Sequence, residues 1–167
     1  HHAITASRRT GHTFCLLLVD LDRFKEINDT HGHQVGDTLI REVARRLQGI
    51  IRESDTAARL GGDEFALLLI GADVDGGMQI AKKAIQRLRE AFVIDGTSLE
   101  IGGSVGLSVY PFHGTDEESL LRCADISMYE AKHTQSGIEI CKQTCRALPP
   151  APHRGRPGQD RKKEPIE

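Results

Sequence analysis

Hydrophobic and polar positions follow one another along this chain in two rhythms, that of a strand and that of a helix. Residues 14–20 (FCLLLVD) are a short apolar run closed by an acid, which predicts a buried central strand. Residues 23–34 are polar, and Asn28-Asp29 and His31-Gly32-His33 read as turn material. From Val35 the apolar positions Leu39, Ile40, Val43, Leu47, Ile50 and Ile51 recur every three or four residues, the spacing of an amphipathic helix. Residues 57–60 (AARL) and 64–70 (EFALLLI) predict two strands joined at Gly61-Gly62-Asp63 in a tight hairpin. Met78 to Phe92 returns to helical spacing, and residues 99–110 (LEIGGSVGLSVY) alternate as a strand does and stop at Pro111. Glu117 to His133 predicts a third helix, with Thr115-Asp116 as its N-cap and Glu118 completing a capping box from Thr115. Gly137 precedes a short last strand, Ile138 to Cys141. The order β-α-β-β-α-β-α-β predicts an α+β fold, a mostly antiparallel central sheet with flanking helices, drawn as one helical layer on one sheet.

Composition narrows the function classes. The 167 residues include 22 basic and 24 acidic ones, a formal charge of −2, with 38% hydrophobic and 28% charged positions. This is the profile of a globular domain, and the charge balance speaks against a nucleic-acid binder. The apolar runs at 15–19 and 66–70 are far too short to enter a bilayer directly. Five of six prolines lie at or beyond Pro149, and residues 146–167 carry a net +3, leaving −5 on residues 1–145. With almost no apolar residue after Leu148, residues 146–167 read as a disordered basic tail or linker behind a domain at 1–145. The chain opens on His1-His2 without an initiator methionine or a secretory signal, as a cytoplasmic fragment of a longer, conceivably membrane-attached protein would. The cysteines Cys15, Cys123, Cys141 and Cys145 are too few and irregular for a disulfide scaffold. Cys141 and Cys145 lack the spacing and second pair of a zinc site, and His31 and His33 lack a third ligand.

Two acidic clusters carry the candidate chemistry. Asp20-Leu21-Asp22 closes the first predicted strand, and Asp63-Glu64 stands at the hairpin tip and the start of the next strand. Were these strands neighbours, their carboxylates would face each other, an arrangement that needs a cation. Mg²⁺ is the natural cation for all-oxygen ligands in phosphate chemistry. A single acid at a turn ordinarily only caps it; the glycines shift that balance. Gly61-Gly62 leaves no Cβ in the way of a polyphosphate, and an acidic site beside such a bend suits metal-assisted attack on phosphorus. Arg52-x-x-Asp55 precedes the bend, a spacing usually met as a solvated salt bridge at a helix end. Gly102-Gly103-Ser104-Val105-Gly106 lacks the lysine and hydroxyl of a P-loop and predicts close strand packing instead.

LGGDEF at 60–65, preceded by DLDRFKEINDTHGHQVGD at 20–37, closely resembles the GGDEF domain of bacterial diguanylate cyclases, over about residues 4–141. The resemblance implies a nucleotidyl-cyclase or polymerase-palm (ferredoxin-like) architecture. It also implies condensation of two GTP into cyclic di-GMP and pyrophosphate across a two-fold homodimer, with Mg²⁺ or alternatively Mn²⁺ as cofactor. By that resemblance Asp20, the carbonyl of Leu21, Asp63 and Glu64 hold metal, and Asp63 and Glu64 share the catalytic role. Asn28 and Asp37 read guanine, whose pairing edge offers two donors and one acceptor. Asp37, as an acid in the first turn of a predicted helix, would equally complement the helix dipole. Lys25, the N–H groups of Arg23 and Phe24, Gly61, Gly62 and Lys132 attend the phosphates, although a lysine in a last helical turn also offsets the dipole there. Arg52 and Asp55 coincide with the family's inhibitory product site.

Two departures stand out. The LTGLPNR-like segment that leads into such domains is absent, so the chain begins inside the helix that follows it. After Lys132 the text is HTQSGIEI, without the arginine that meets a γ-phosphate; the Ser-Gly form resembles GGDEF domains that precede an EAL domain. The resemblance therefore implies a diguanylate cyclase domain, or else a module that binds GTP or cyclic di-GMP without turnover.

Overall fold

The computed structural model describes residues 2–142; the expected tail at 146–167 lies outside them. The first helix, α1 (His2–Thr10), leads into the central strand β1 (Phe14–Asp22). Next come α2 (Phe24–His31), α3 (His33–Gln48), and the hairpin strands β2 (Thr56–Gly61) and β3 (Glu64–Ile70). Helix α4 (Val74–Arg89) precedes a small separate hairpin, β4 (Phe92–Ile94) and β5 (Thr97–Leu99). Strand β6 (Gly102–Tyr110), helix α5 (Glu117–Thr134) and strand β7 (Ile138–Ile140) complete the order.

The main sheet runs β2-β3-β1-β6-β7 and is antiparallel except for the β6–β7 pair. Alternation along β1 explains why helices lie on both faces and not in one layer as expected from the order of elements. Cys15, Leu17, Val19 and Leu21 point to one face, where they share a core with Leu39, Val43 and Leu47 of α3 and Ala81, Ala84 and Leu88 of α4. Leu18 points to the other and packs with Ala124 and Met128 of α5, and Phe14 packs with Ile4 of α1, Tyr110 and Leu120. A sheet apolar on both sides needs two covers.

Glycines set how closely those covers approach. A Cβ on Gly106 would lie 2.0 Å from the Ala124 carbonyl oxygen and 2.2 Å from the Met128 nitrogen, so α5 rests directly on the β6 backbone. The reading of residues 102–106 as a close-packing strand holds.

Several boundaries differ from the sequence expectation. The polar stretch 23–34 is not turn material but helical: α2 buries Phe24, and Gly32 alone separates it from α3. The strand expected over 99–110 is broken between β5 and β6, and Phe92 is no helix residue but opens β4. There it is almost fully buried, with the Arg46 guanidinium 3.5 Å above its ring. Within the expected Thr115-Asp116 pair it is Asp116 that caps α5, accepting hydrogen bonds from the N–H and hydroxyl of Ser119. Cys123 and Cys141 form a disulfide, so α5 is tied covalently to the end of β7, where the spacing had spoken against bridging. Among the described residues no helix is long and apolar enough to cross a membrane.

Candidate active site

The two acidic clusters meet because β1 and β3 are hydrogen-bonded neighbours. Asp20 and Glu64 are register partners, so their side chains leave the same face of the sheet at the same level. The hairpin tip is fastened to β1 by the main chain: the Leu21 N–H donates to the Asp63 carbonyl at 3.2 Å. Asp63 follows Gly62 in the two-residue turn, and Gly61 and Gly62 hold φ values of 155° and 55°, backbone that only glycine adopts without strain. A Cβ at either glycine would meet nothing within 4 Å, so the space above the bend is open. Conformation, not crowding, calls for glycine here.

Three side chains support this arrangement in ways the sequence did not announce. Arg59 of β2 reaches back over the turn, and its Nε and Nη2 donate to the Gly62 carbonyl at 3.0 and 2.8 Å. Ser104, buried on β6, donates to Asp22 Oδ1 at 3.0 Å and so occupies the second acid of the first cluster. Lys132, in the last turn of α5, lays its Nζ on Asp20 Oδ1 at 2.5 Å. An arginine two positions before a glycine pair and a serine in a small-residue strand carry no local signal; only the pairing of strands makes them neighbours of the site.

The electrostatics follow from that crowding. Burial and the charge of Asp20 raise the Asp63 carboxyl pKa from its ordinary value, against the opposing charges of Lys132 and Arg59. Carboxylate oxygens from β1 and from the hairpin thus meet at one edge of the sheet. All-oxygen donors of this kind fit a divalent cation such as Mg²⁺. Among the described residues no three carboxylate, imidazole or thiol groups stand already converged as a cage. The residues that would hold the ion are Asp20, Asp63 and Glu64, with the Leu21 carbonyl beside them.

Around this centre the other expected residues fall into two groups. Arg23 takes a left-handed conformation (φ 61°) before α2, which starts that helix at the end of β1. Its exposed side chain pairs with Glu26 at 2.8 Å. Phe24 is buried under the helix start, whereas Lys25 is exposed. At the α2–α3 junction Gly36 packs on the Asn28 amide of α2, and Asp37, exposed, follows Gly36 on α3. Because α3 begins at His33, Asp37 stands in its second turn and not the first, which removes the dipole explanation for it. Ser136, where the sequence lacks an arginine, closes the α5–β7 turn by donating to the Ile138 carbonyl at 3.3 Å.

Arg52 and Asp55 lie apart from this centre, in the turn between α3 and β2 and not on a helix end. The Asp55 carboxylate accepts the Arg52 N–H at Oδ2 and the Ile70 N–H at Oδ1, both at 3.0 Å, which pins the turn to β3. The Arg52 side chain points to solvent.

The fold is shared with known proteins. The profile of the diguanylate cyclase GGDEF domain matches residues 1–137. Diguanylate cyclase TpbB of Pseudomonas aeruginosa is 42% identical over 127 residues, 73% of this chain and 28% of TpbB. The solved GGDEF domain of that protein superposes with a TM-score of 0.80 at 36% identity, covering 85% of this chain and 90% of the domain. The GGDEF domain of DgcB from Caulobacter crescentus, solved in complex with c-di-GMP, gives 0.77 at 26% identity, with 85% of each chain covered. The chain spans between 12% and 36% of the length of the curated relatives compared with it.

Proposed function

Because the chain belongs to the GGDEF family of diguanylate cyclases, we propose that it condenses two GTP into cyclic di-GMP and pyrophosphate, with Mg²⁺, as half of a two-fold dimer. The observation that carries this reading is the register pairing of Asp20 with Glu64 beside the open Gly61-Gly62 bend. Chemistry at phosphorus needs carboxylates from two strands at one point and room for a triphosphate next to them.

The residue roles follow from position. Asn28 and Asp37 present an amide and a carboxylate at the α2–α3 junction, complementary to the edge of guanine. Lys25 and the main-chain N–H groups of Arg23 and Phe24, at the positive end of α2, receive the phosphates, together with Lys132. Gly61 and Gly62 leave the α-phosphate approachable. A divalent ion held by Asp20, Leu21, Asp63 and Glu64 would supply charge neutralisation at the phosphates. Asp63 and Glu64 accept the proton of the attacking 3′-hydroxyl; the new bond is 3′-oxygen to α-phosphorus, and the broken one releases pyrophosphate. Each site holds one GTP, and two such transfers close the ring, so the partner must present its own GTP in two-fold apposition.

Product inhibition through Arg52 and Asp55 belongs to the same proposal. The exposed Arg52 guanidinium suits a phosphate or guanine, and each Asp55 oxygen keeps a lone pair beyond the one it spends on a main-chain N–H. A cytoplasmic setting, where GTP is plentiful, accords with the activity.

The test is conversion of GTP to cyclic di-GMP with Mg²⁺, read by chromatography, for the chain alone and for the chain fused to a dimerising coiled coil. Product that appears on dimerisation is the expected result. Tight binding of GTP or cyclic di-GMP without product in either form would make this a receptor module instead.

A further inference from the structure

Lys132 reaches the site from a different layer than the acids it meets. It is 112 positions from Asp20 in sequence and arrives from α5, the helix that Gly106 admits against β6. The Asp20 side chain is 12% exposed and that of Lys132 46%, so the carboxylate is fixed in the floor and the ammonium descends on it from the solvent side. A nearly buried carboxylate left without a counter-charge is costly, and Lys132 supplies one through a contact of 2.5 Å. Lysine suits a partnership meant to be broken. Its ammonium is a compact charge on a flexible stem and, unlike a forked guanidinium, gives up a single contact when it swings away.

We propose that Lys132 is the resident counter-ion of Asp20, holding that carboxylate until a divalent cation takes it, and that the exchange frees the ammonium for an anionic ligand. This rests on the reading of Asp20 as a metal carboxylate. A bare cation has to compete with an internal one, whereas a cation arriving with phosphates offers the displaced ammonium a new partner. Metal and phosphate then favour each other's binding by the same factor, as linkage requires. Lys132 is therefore a positioning residue that couples the two, in addition to any phosphate contact it makes.

The experiment is a titration of the nucleotide-free chain with Mn²⁺, free ion being read by electron paramagnetic resonance. Lys132→Met keeps the stem and removes the charge. It should bind Mn²⁺ about fivefold more tightly than wild type, the worth of one part-exposed ion pair. In parallel, acetic anhydride labelling of wild-type protein, read by mass spectrometry, needs no variant. Saturating Mn²⁺ should raise modification of Lys132 several-fold and leave Lys142, paired with Glu130 and Glu139, unchanged. Equal or weaker Mn²⁺ binding by Lys132→Met, or labelling of Lys132 indifferent to Mn²⁺, overturns the exchange. Asp20→Asn separates the two levels: if it binds Mn²⁺ as wild type does, the metal reading of Asp20 fails, and not merely the exchange.

Discussion

Gly36 and Asn28 are in contact across the α2–α3 junction: a Cβ on Gly36 would stand 1.8 Å from Asn28 Oδ1 and 3.3 Å from the ring of Phe24. The missing side chain lets α3 approach α2 and leaves room for the Asn28 amide against it. Gly36→Ala must push that amide aside, an overpacking that costs about 1–3 kcal/mol. The expected outcome is GTP binding weakened about tenfold by calorimetry, with a melting temperature a few degrees lower. Unchanged GTP affinity in a destabilised protein would remove Asn28 from guanine recognition.

The floor of the site depends on Gly106 in a different way. There an added Cβ collides with the backbone of α5, at Ala124 and Met128, whereas at Gly103 it meets only the Leu88 Cδ1 tip, at 2.6 Å. A side-chain tip can rotate; a helix has to lift as a body. Gly106→Ala should therefore lose about 3 kcal/mol or more in urea unfolding, and Gly103→Ala distinctly less. Comparable losses at both positions would show that α5 has room to shift.

What the sequence disclosed, and what it withheld, divides along physical lines. The hairpin around Gly61-Gly62, the strand at Phe14 and the long helices α3, α4 and α5 rest on periodicities that survive in the fold. Helix α2 was hidden because it offers so narrow an apolar face: Phe24 is its one buried residue and Ile27 packs at the margin. The β4–β5 hairpin was legible in principle, since Asp95-Gly96 takes positive φ values of 50° and 79°, the hairpin turn that an Asp-Gly pair favours. Its strands have three residues each, and Phe92 fitted the helical spacing before it. The acids at 20 and 63–64 could be named from sequence, but Arg59, Ser104 and Gly36 act through contacts fixed only by strand register and helix packing.

Arg59 tests whether the glycine bend must be held as well as permitted. Its two donors both end on the Gly62 carbonyl, and the arginine itself is exposed. Arg59→Met keeps the stem and removes both hydrogen bonds, which at this exposed position water replaces at little net cost. Stability should move little, while kcat for cyclic di-GMP formation should fall about tenfold with KM for GTP less affected, because the bend positions Asp63. Arg59→Lys, which can restore one donor, should recover part of the rate. A wild-type kcat in Arg59→Met would make the clamp incidental.

His113 gives the fold a pH dependence of known sign. The Val109 N–H donates to His113 Nδ1 at 2.9 Å, and the His113 N–H returns a bond to the Val109 carbonyl at 2.8 Å, closing the turn that leads from β6 towards α5. Nδ1 can accept only while the ring lacks a proton there, and burial pushes the His113 pKa below the ordinary imidazole value. The unfolded chain therefore takes up a proton at a higher pH than the folded one. The stabilisation is full above the unfolded value, about 6.5, and is lost as pH falls through the lower folded value. His113→Asn supplies an amide oxygen that accepts without titrating. Urea midpoints measured from pH 8 down to pH 5 should fall more steeply for wild type than for His113→Asn, and parallel curves would show that the ring contributes nothing to acid sensitivity.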